Sequence, residues 1–254
     1  MTRTVDLRIF TLADISQVEI TKVLWQHLAR APVAPAKYDT VERAKLPFTS
    51  ESYVDAANLY KEEYVLFVTG ASHAYQVMFS KEPKNLAKWN FYLSHEELQQ
   101  SRGQAWHAWI KDLAVDLPIL FGFFCGEEEY NAKHQIVEYY EGLGSSTGAV
   151  GVATREFWQF LPGVYWLNLF GPEAIGDIEL SRVKALQDWQ TELHDSKLLT
   201  IQYHGPVLPY DPEVRTEPDH KLCEALGAEH IFSRDEPTDN LHQLPGILKA
   251  LGSL

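Results

Sequence analysis

From Val164 to Phe170 the chain reads VYWLNLF, a nearly unbroken apolar run with aromatic and β-branched content. A half-exposed strand alternates apolar with polar residues, so this run fits a strand covered on both faces. It demands structure on either side of it. Pro162 and Gly163 set the turn that feeds the strand. Gly171 and Pro172 read as a helix N-cap and first helical position, because proline's fixed φ suits that place and its missing N–H would be unpaired there anyway. Ile178, Ala185, Leu186, Trp189 and Leu193 continue at helical spacing, predicting a helix behind the strand. Trp166, mid-run, is expected to organise the core, with Trp158 and Tyr165 as packing around it. Pro162, Gly163, Trp166 and Gly171 form the structural motif.

The period of the remaining chain alternates between two kinds. Arg3 to Leu12 reads as an edge strand, and Ser16 with Glu19 matches a capping box opening a helix with Ile20, Val23, Leu24, Leu28 and Ala31 on one face. Pro32 to Pro35 ends it, Lys37 to Pro47 is polar and irregular, and Tyr53 to Tyr64 suggests a short helix. From Tyr64 to Ser94 the period becomes two, broken at Gly70–His73 and Lys81–Asn85, which predicts a three-stranded antiparallel meander. A second capping box at Ser94–Glu97 opens a helix running to Pro118, followed by a buried strand, Ile119 to Cys125, and a helical face through Tyr130, His134, Val137 and Glu141. Gly142 to Gly151 reads as a flexible loop. Leu198 to Tyr203 reads as a strand, Pro206 to Pro218 as a proline-punctuated acidic segment, and Cys223 to Leu226 as a short helix. A strand near His230 to Ser233 and a C-terminal helical turn close the chain. Strands and helices mix without βαβ regularity, so the fold class is α+β, mainly an antiparallel sheet with flanking helices. With no linker in sight, residues 1–254 are expected to form a single compact domain.

The 254 residues, 45% hydrophobic, suffice for a full core. No signal peptide is visible and no run approaches the ~18 apolar residues of a membrane span, so the expectation is a cytoplasmic protein without a membrane partner. Cys125 and Cys223 lie far apart and read as reduced thiols. The charge is uneven: 22 basic and 35 acidic residues give −13, yet residues 1–93 carry 11 basic and 10 acidic side chains. Ser94–Gly142 and Gly205–Asn240 each hold 9 acidic and 3 basic residues. Such a surface repels nucleic acid and steers basic partners.

Catalytic signatures fail on context. Gly144–Gly148 matches the letters of a nucleophile elbow around Ser146, but no buried strand precedes it and no capped helix follows. His95-Glu96 begins a zinc-protease motif, yet Gln99 stands where the second histidine should be. His194 and His204, with Asp211 or Asp219, lack a third ligand at a recognisable spacing. No phosphate loop or dinucleotide fingerprint occurs. The alternative to a binding protein is a serine- or metal-dependent hydrolase using Ser146 or such a His/Asp site. No catalytic residue, metal or cofactor is expected. Glu127, Glu128 and Glu129 cannot all face one point of a regular element, and so read as a solvated patch able to engage lysines and arginines.

At Leu161 to Gly171 (LPGVYWLNLFG) the chain resembles bacterial immunity proteins of polymorphic-toxin and type VI secretion systems, immunity protein family 52 above all. The acidic segment Leu208 to His220 and the closing helix and strand fit the same pattern, so the resemblance covers most of the chain. It implies an α+β protein that neutralises a restriction-endonuclease-fold nuclease effector by binding it. A nuclease site attracts phosphodiesters with Lys and Arg, which an acidic inhibitor complements. Glu127, Glu128 and Glu129, at the end of a buried strand, are the first expected toxin contacts. Asp211, Glu213, Glu217 and Asp219, in a loop stiffened by Pro209, Pro212 and Pro218, are the second.

Overall fold

The computed structural model describes residues 4–71, 75–94, 101–140, 144–149, 156–234 and 238–252, with the backbone alone at 4, 101–104, 135–140 and 144–149. In chain order the first half runs β1 Thr4–Thr11, α1 Val18–Ala29, β2 Pro35–Asp39, β3 Leu46–Pro47, α2 Tyr53–Glu63, β4 Val65–Gly70, β5 Tyr75–Lys81, β6 Ala87–Ser94, α3 Ser101–Asp116 and β7 Ile119–Gly126. The second runs α4 Glu127–His134, β8 Gln135–Tyr140, β9 Gly144–Ala149, β10 Leu167–Phe170, α5 Pro172–Ile175, α6 Leu180–Lys184, β11 Trp189–His194, β12 Leu198–Tyr203, α7 Pro212–Leu226 and α8 Pro245–Ala250. Ten strands form one sheet in the order β11-β12-β10-β7-β1-β6-β5-β4-β2-β3, and β8 pairs with β9 in a separate ribbon. Every neighbouring pair is antiparallel. The fold class is α+β, as the mixed periods imply.

Alternation along the strands feeds two cores. On β1, Val5, Leu7 and Ile9 point to one face, where they join Trp89, Phe91 and Leu93 of β6 under Trp25 and Leu28 of α1, Tyr60 of α2 and Trp106 and Trp109 of α3. Phe10 points to the other face with Phe121 and Phe123 of β7, beneath Ala174 of α5, Val183 of α6, Leu222 of α7 and Ile247 of α8. Because strand side chains alternate, Asp6 and Arg8 share Phe10's face. That face therefore turns from aromatic to ionic along a single strand.

The meander stands where the period placed it, and the helix before it and the strand after α3 do too. Elsewhere the structure departs from expectation. The apolar run is a strand only over Leu167–Phe170, because Asn168 Oδ1 accepts from Tyr165 N (2.9 Å) and Nδ2 donates to Tyr165 O (2.8 Å), tying those backbone groups into a loop. Gly171 caps and Pro172 opens a helix as expected, but it lasts four residues, and Trp189 and Leu193 belong to β11. The N-cap of α1 is Gln17 without a side-chain bond, since Asp14 forms the preceding turn and takes Ser16 N (2.9 Å). Lys37 to Pro47 holds the end of β2 and all of β3, and the expected loop at 144–149 is β9. The closing strand reduces to one parallel bridge, Leu161 to Ile231. The second capping box lies largely outside the described residues.

Candidate functional site: acidic helices over a buried ion cluster

Three glutamates open α4 because carboxylates favour a helix N-terminus, where the unpaired N–H groups carry positive potential. Their fates differ. Glu127 and Glu128 are half-buried, whereas Glu129 is 0% exposed. Its Oε1 accepts from Lys133 Nζ (2.8 Å) and Arg215 Nη2 (2.9 Å). Arg215 also reaches Asp219 Oδ1 through Nε (3.2 Å) and Nη2 (2.8 Å), and Lys133 Nζ reaches Asp219 Oδ2 (2.7 Å) and the Val164 carbonyl (2.6 Å). Two carboxylates and two cations thus close on one another. The guanidinium lies 4.4 Å from the ring centre of Tyr203, and the ammonium 5.4 Å from that of Tyr165. Burial by itself would lower both cations' pKa values, but Glu129 and Asp219 outweigh it, so Lys133 and Arg215 are both raised and stay charged.

The expected loop around Asp211 to Asp219 is a helix. Asp211 is the N-cap of α7, its Oδ1 accepting from Glu213 N (3.0 Å), Pro212 sits at the first turn, and Pro218 lies inside. Arg215 and Asp219, four apart, share the inward face, whereas Glu213, Glu217 and Glu224 are exposed, as is Val214 at 56%. Glu217 pairs with Lys221 at 2.7 Å, which lowers its pKa through that hydrogen bond. So the structure does bring the two predicted acidic groups together, through Glu129 and Asp219. These two are interior ion-pair residues rather than a solvated patch: Glu129 is 0% and Asp219 8% exposed, and both carboxylates are held by Arg215 and Lys133. Arg215 itself escaped notice, although a lone arginine inside an acidic, proline-rich stretch was a visible signal. Asn168, a single amide within an apolar run, was another.

Beside this cluster, Arg8 bonds Asp6 (3.1 Å) and the Tyr130 hydroxyl (2.9 Å) and lies 4.0 Å from the Tyr130 ring centre. Burial pushes Asp6 up, against the opposing pull of Arg8. His134, at the end of α4, meets the Tyr165 hydroxyl at 2.6 Å, and that hydroxyl donates to the Pro162 carbonyl (2.9 Å). The imidazole Nε2 therefore carries the proton. Burial, then the cations Arg8 and Lys133, hold His134 down to about 3.

The motif residues are structural. Gly163 has φ +143°, outside the range of other residues, and a Cβ on Gly171 would stand 1.7 Å from the Ile119 carbonyl oxygen. Pro162 is buried, and its carbonyl anchors Tyr165. Trp166 is only half-buried, with Nε1 donating to Gly205 O (2.8 Å), so the fully buried aromatic at the centre is Tyr165. Ser146 lies mid-strand in β9 opposite Glu138, not on a strand-to-helix turn. His194 and His204 sit at opposite ends of the β11–β12 pair, and so do not meet. Among the described residues no group of three His, Cys, Asp or Glu is placed to hold a metal, and no helix is long and apolar enough to cross a membrane. A pocket of about 370 Å³, lined by Trp25, Gln26, Ala29, Arg30 and Ser50, lies beside α1 on the other face of the sheet.

No family model matches the chain, and no curated protein matches its sequence. Among solved structures, the Pseudomonas aeruginosa T6SS protein PA0821 superimposes with a TM-score of 0.57 at 15% identity, over 88% of this chain and 75% of that one. The two chains share a fold. The duplicated taurocyamine kinase from Schistosoma mansoni aligns at a TM-score of 0.28 and 9% identity, over 89% of this chain and 32% of that one, and at that score implies nothing about fold.

Proposed function

We propose that this chain is an immunity protein that binds and neutralises a toxin effector of a type VI secretion system, acting in the cytoplasm and without catalysis. The observation that carries the reading is the fold shared with a P. aeruginosa protein of that system over most of the chain. The resemblance of Leu161 to Gly171 to immunity protein family 52 supports the finer assignment, including a nuclease effector of restriction-endonuclease fold. The outward side of α7 supports a basic partner: Glu213 and Glu217 flank the exposed Val214 and Glu224 is exposed farther along, on a helix whose inward side is fixed by Arg215. Charges at the rim of an interface act mainly on association rate and its salt dependence. Asp211, the N-cap of the same helix, is a subsidiary contact, as are Glu127 and Glu128 in the first turn of α4.

The test is co-expression with the product of the adjacent gene, followed by co-purification and growth assay. Protection and a stable complex are expected, with Ser146→Ala protecting as well as wild type. Glu213→Gln with Glu217→Gln and Glu224→Gln should slow association and flatten its salt dependence while the circular dichroism spectrum stays unchanged. Absence of both complex and protection would end the immunity reading. Unchanged rates and salt slope in the triple variant would end its electrostatic part alone.

A further inference from the structure

The sheet has two open edges, and they are built differently. At one end β3 is two residues long, contains Pro47 and follows Lys45, features that block further pairing. At the other end β11, Trp189–His194, has neither proline nor lysine within it. His204 N donates to Asp188 O (3.0 Å), which fixes the ladder: Asp188, Gln190, Glu192 and His194 direct their backbone groups to β12, and Thr191 and Leu193 direct theirs outward. Among the described residues none bonds the outward backbone groups of Thr191 or Leu193. The Leu193 side chain is 40% exposed, and Thr191 Oγ1 is buried without a partner.

We propose that β11 pairs antiparallel with β11 of a second copy of this chain, about a two-fold axis at Thr191, making one continuous sheet through both. In this register Thr191 faces Thr191 of the second copy, Leu193 faces Trp189, Gln190 faces Glu192, and Asp188 faces His194. The strand is complementary to itself: an amide meets a carboxylate, a carboxylate meets an imidazole, and the two threonines face one another across the strands. About four backbone hydrogen bonds form, because Trp189 N is already given to Leu186 O (3.4 Å). The acidic excess does not oppose the contact locally, since Lys111 neutralises Glu192 at 2.8 Å and Lys197 follows Asp195. The charges of α4 and α7 farther off are screened beyond about 8 Å at physiological salt.

The full chain is followed by sedimentation across a concentration series. Wild type should rise from the mass of one chain towards two. Leu193→Lys, which guards the edge as natural edge strands do, should weaken association at least tenfold with the melting temperature unchanged. Thr191→Cys should give a covalent dimer on oxidation, because facing residues of a bonded pair have Cα atoms about 5.5 Å apart, within disulfide reach. Leu193→Cys should not, since four residues of offset separate its copies by roughly 13 Å. A mass of one chain at every concentration, association of Leu193→Lys equal to wild type, or a covalent dimer from Leu193→Cys but none from Thr191→Cys would overturn the proposal.

Discussion

Replacing Arg215 by Ala tests whether the interior ion cluster fastens α4 to α7. The change removes one hydrogen bond to Glu129 (2.9 Å) and two to Asp219 (2.8 and 3.2 Å), and leaves two buried carboxylates to share Lys133. Stripping one partner from a buried pair costs about 3 to 5 kcal/mol, and the remaining ammonium puts the expectation at about 3 kcal/mol. For a chain of this size that lowers the melting temperature by roughly 6 to 12 °C. Urea unfolding followed by circular dichroism reads the free energy directly. Glu129→Gln in the Arg215→Ala background should recover part of the loss, because the stranded charge, not the missing contact, dominates it. Glu217→Gln, on the solvent side of the same helix, should leave the midpoint where it was. A loss below about 1 kcal/mol for Arg215→Ala, or no recovery in the double variant, would refute the claim that the cluster is a desolvated, mutually dependent unit.

Other outcomes follow from particular contacts. Gly171→Ala should destabilise by about 3 kcal/mol or more, seen as a lower urea midpoint, because its Cβ would stand 1.7 Å from the Ile119 carbonyl oxygen of β7. Gly246→Ala should loosen α8, whose backbone passes Glu173 so closely that a Cβ would lie 1.8 Å from its carbonyl oxygen, and hydrogen exchange near the C-terminus reads this. Trp166→Ala should cost about 2 kcal/mol, less than a fully buried tryptophan, because the ring is half-buried. His134 is held at about 3, below its ordinary 6.5, so between those values the unfolded chain binds more protons and stability falls as pH falls. At about 1.4 kcal/mol per pH unit, roughly 2 kcal/mol is lost between pH 6.5 and 5, and His134→Gln should remove that part of the slope of unfolding free energy against pH.

What could be read from residues alone was what local pattern controls. The meander was legible because Tyr75, Val77 and Phe79 and then Ala87, Trp89, Phe91 and Leu93 alternate without interruption and their turns carry clear breaks. α7 was hidden because Pro218 cannot donate within a helix and reads as a stop. Tertiary bonds from Arg215 and Asp219, on either side of it, hold the helix regardless. The apolar run misled for the opposite reason. Asn168 occupies a strand position yet bonds backward to Tyr165, and no periodicity records where an amide side chain will turn. The acidic surface was visible as composition, but its division into inward Glu129 and Asp219 and outward Glu213 and Glu217 turns on Arg215, which lies within the second acidic stretch and pairs with Glu129 from 86 residues away.

That division runs through a single helix and has an evolutionary consequence. On α7, Arg215 is committed to the interior, while its sequence neighbours Glu213, Val214, Thr216 and Glu217 are exposed. Substitutions at these four positions do not touch the ion cluster, so they can accumulate under selection from a changing adversary at little expense to folding. A lineage could thus rewrite what this helix recognises several times over on one unaltered frame. Drift would instead be arrested at Arg215, Asp219 and Glu129, where a change on one element strands a charge on another.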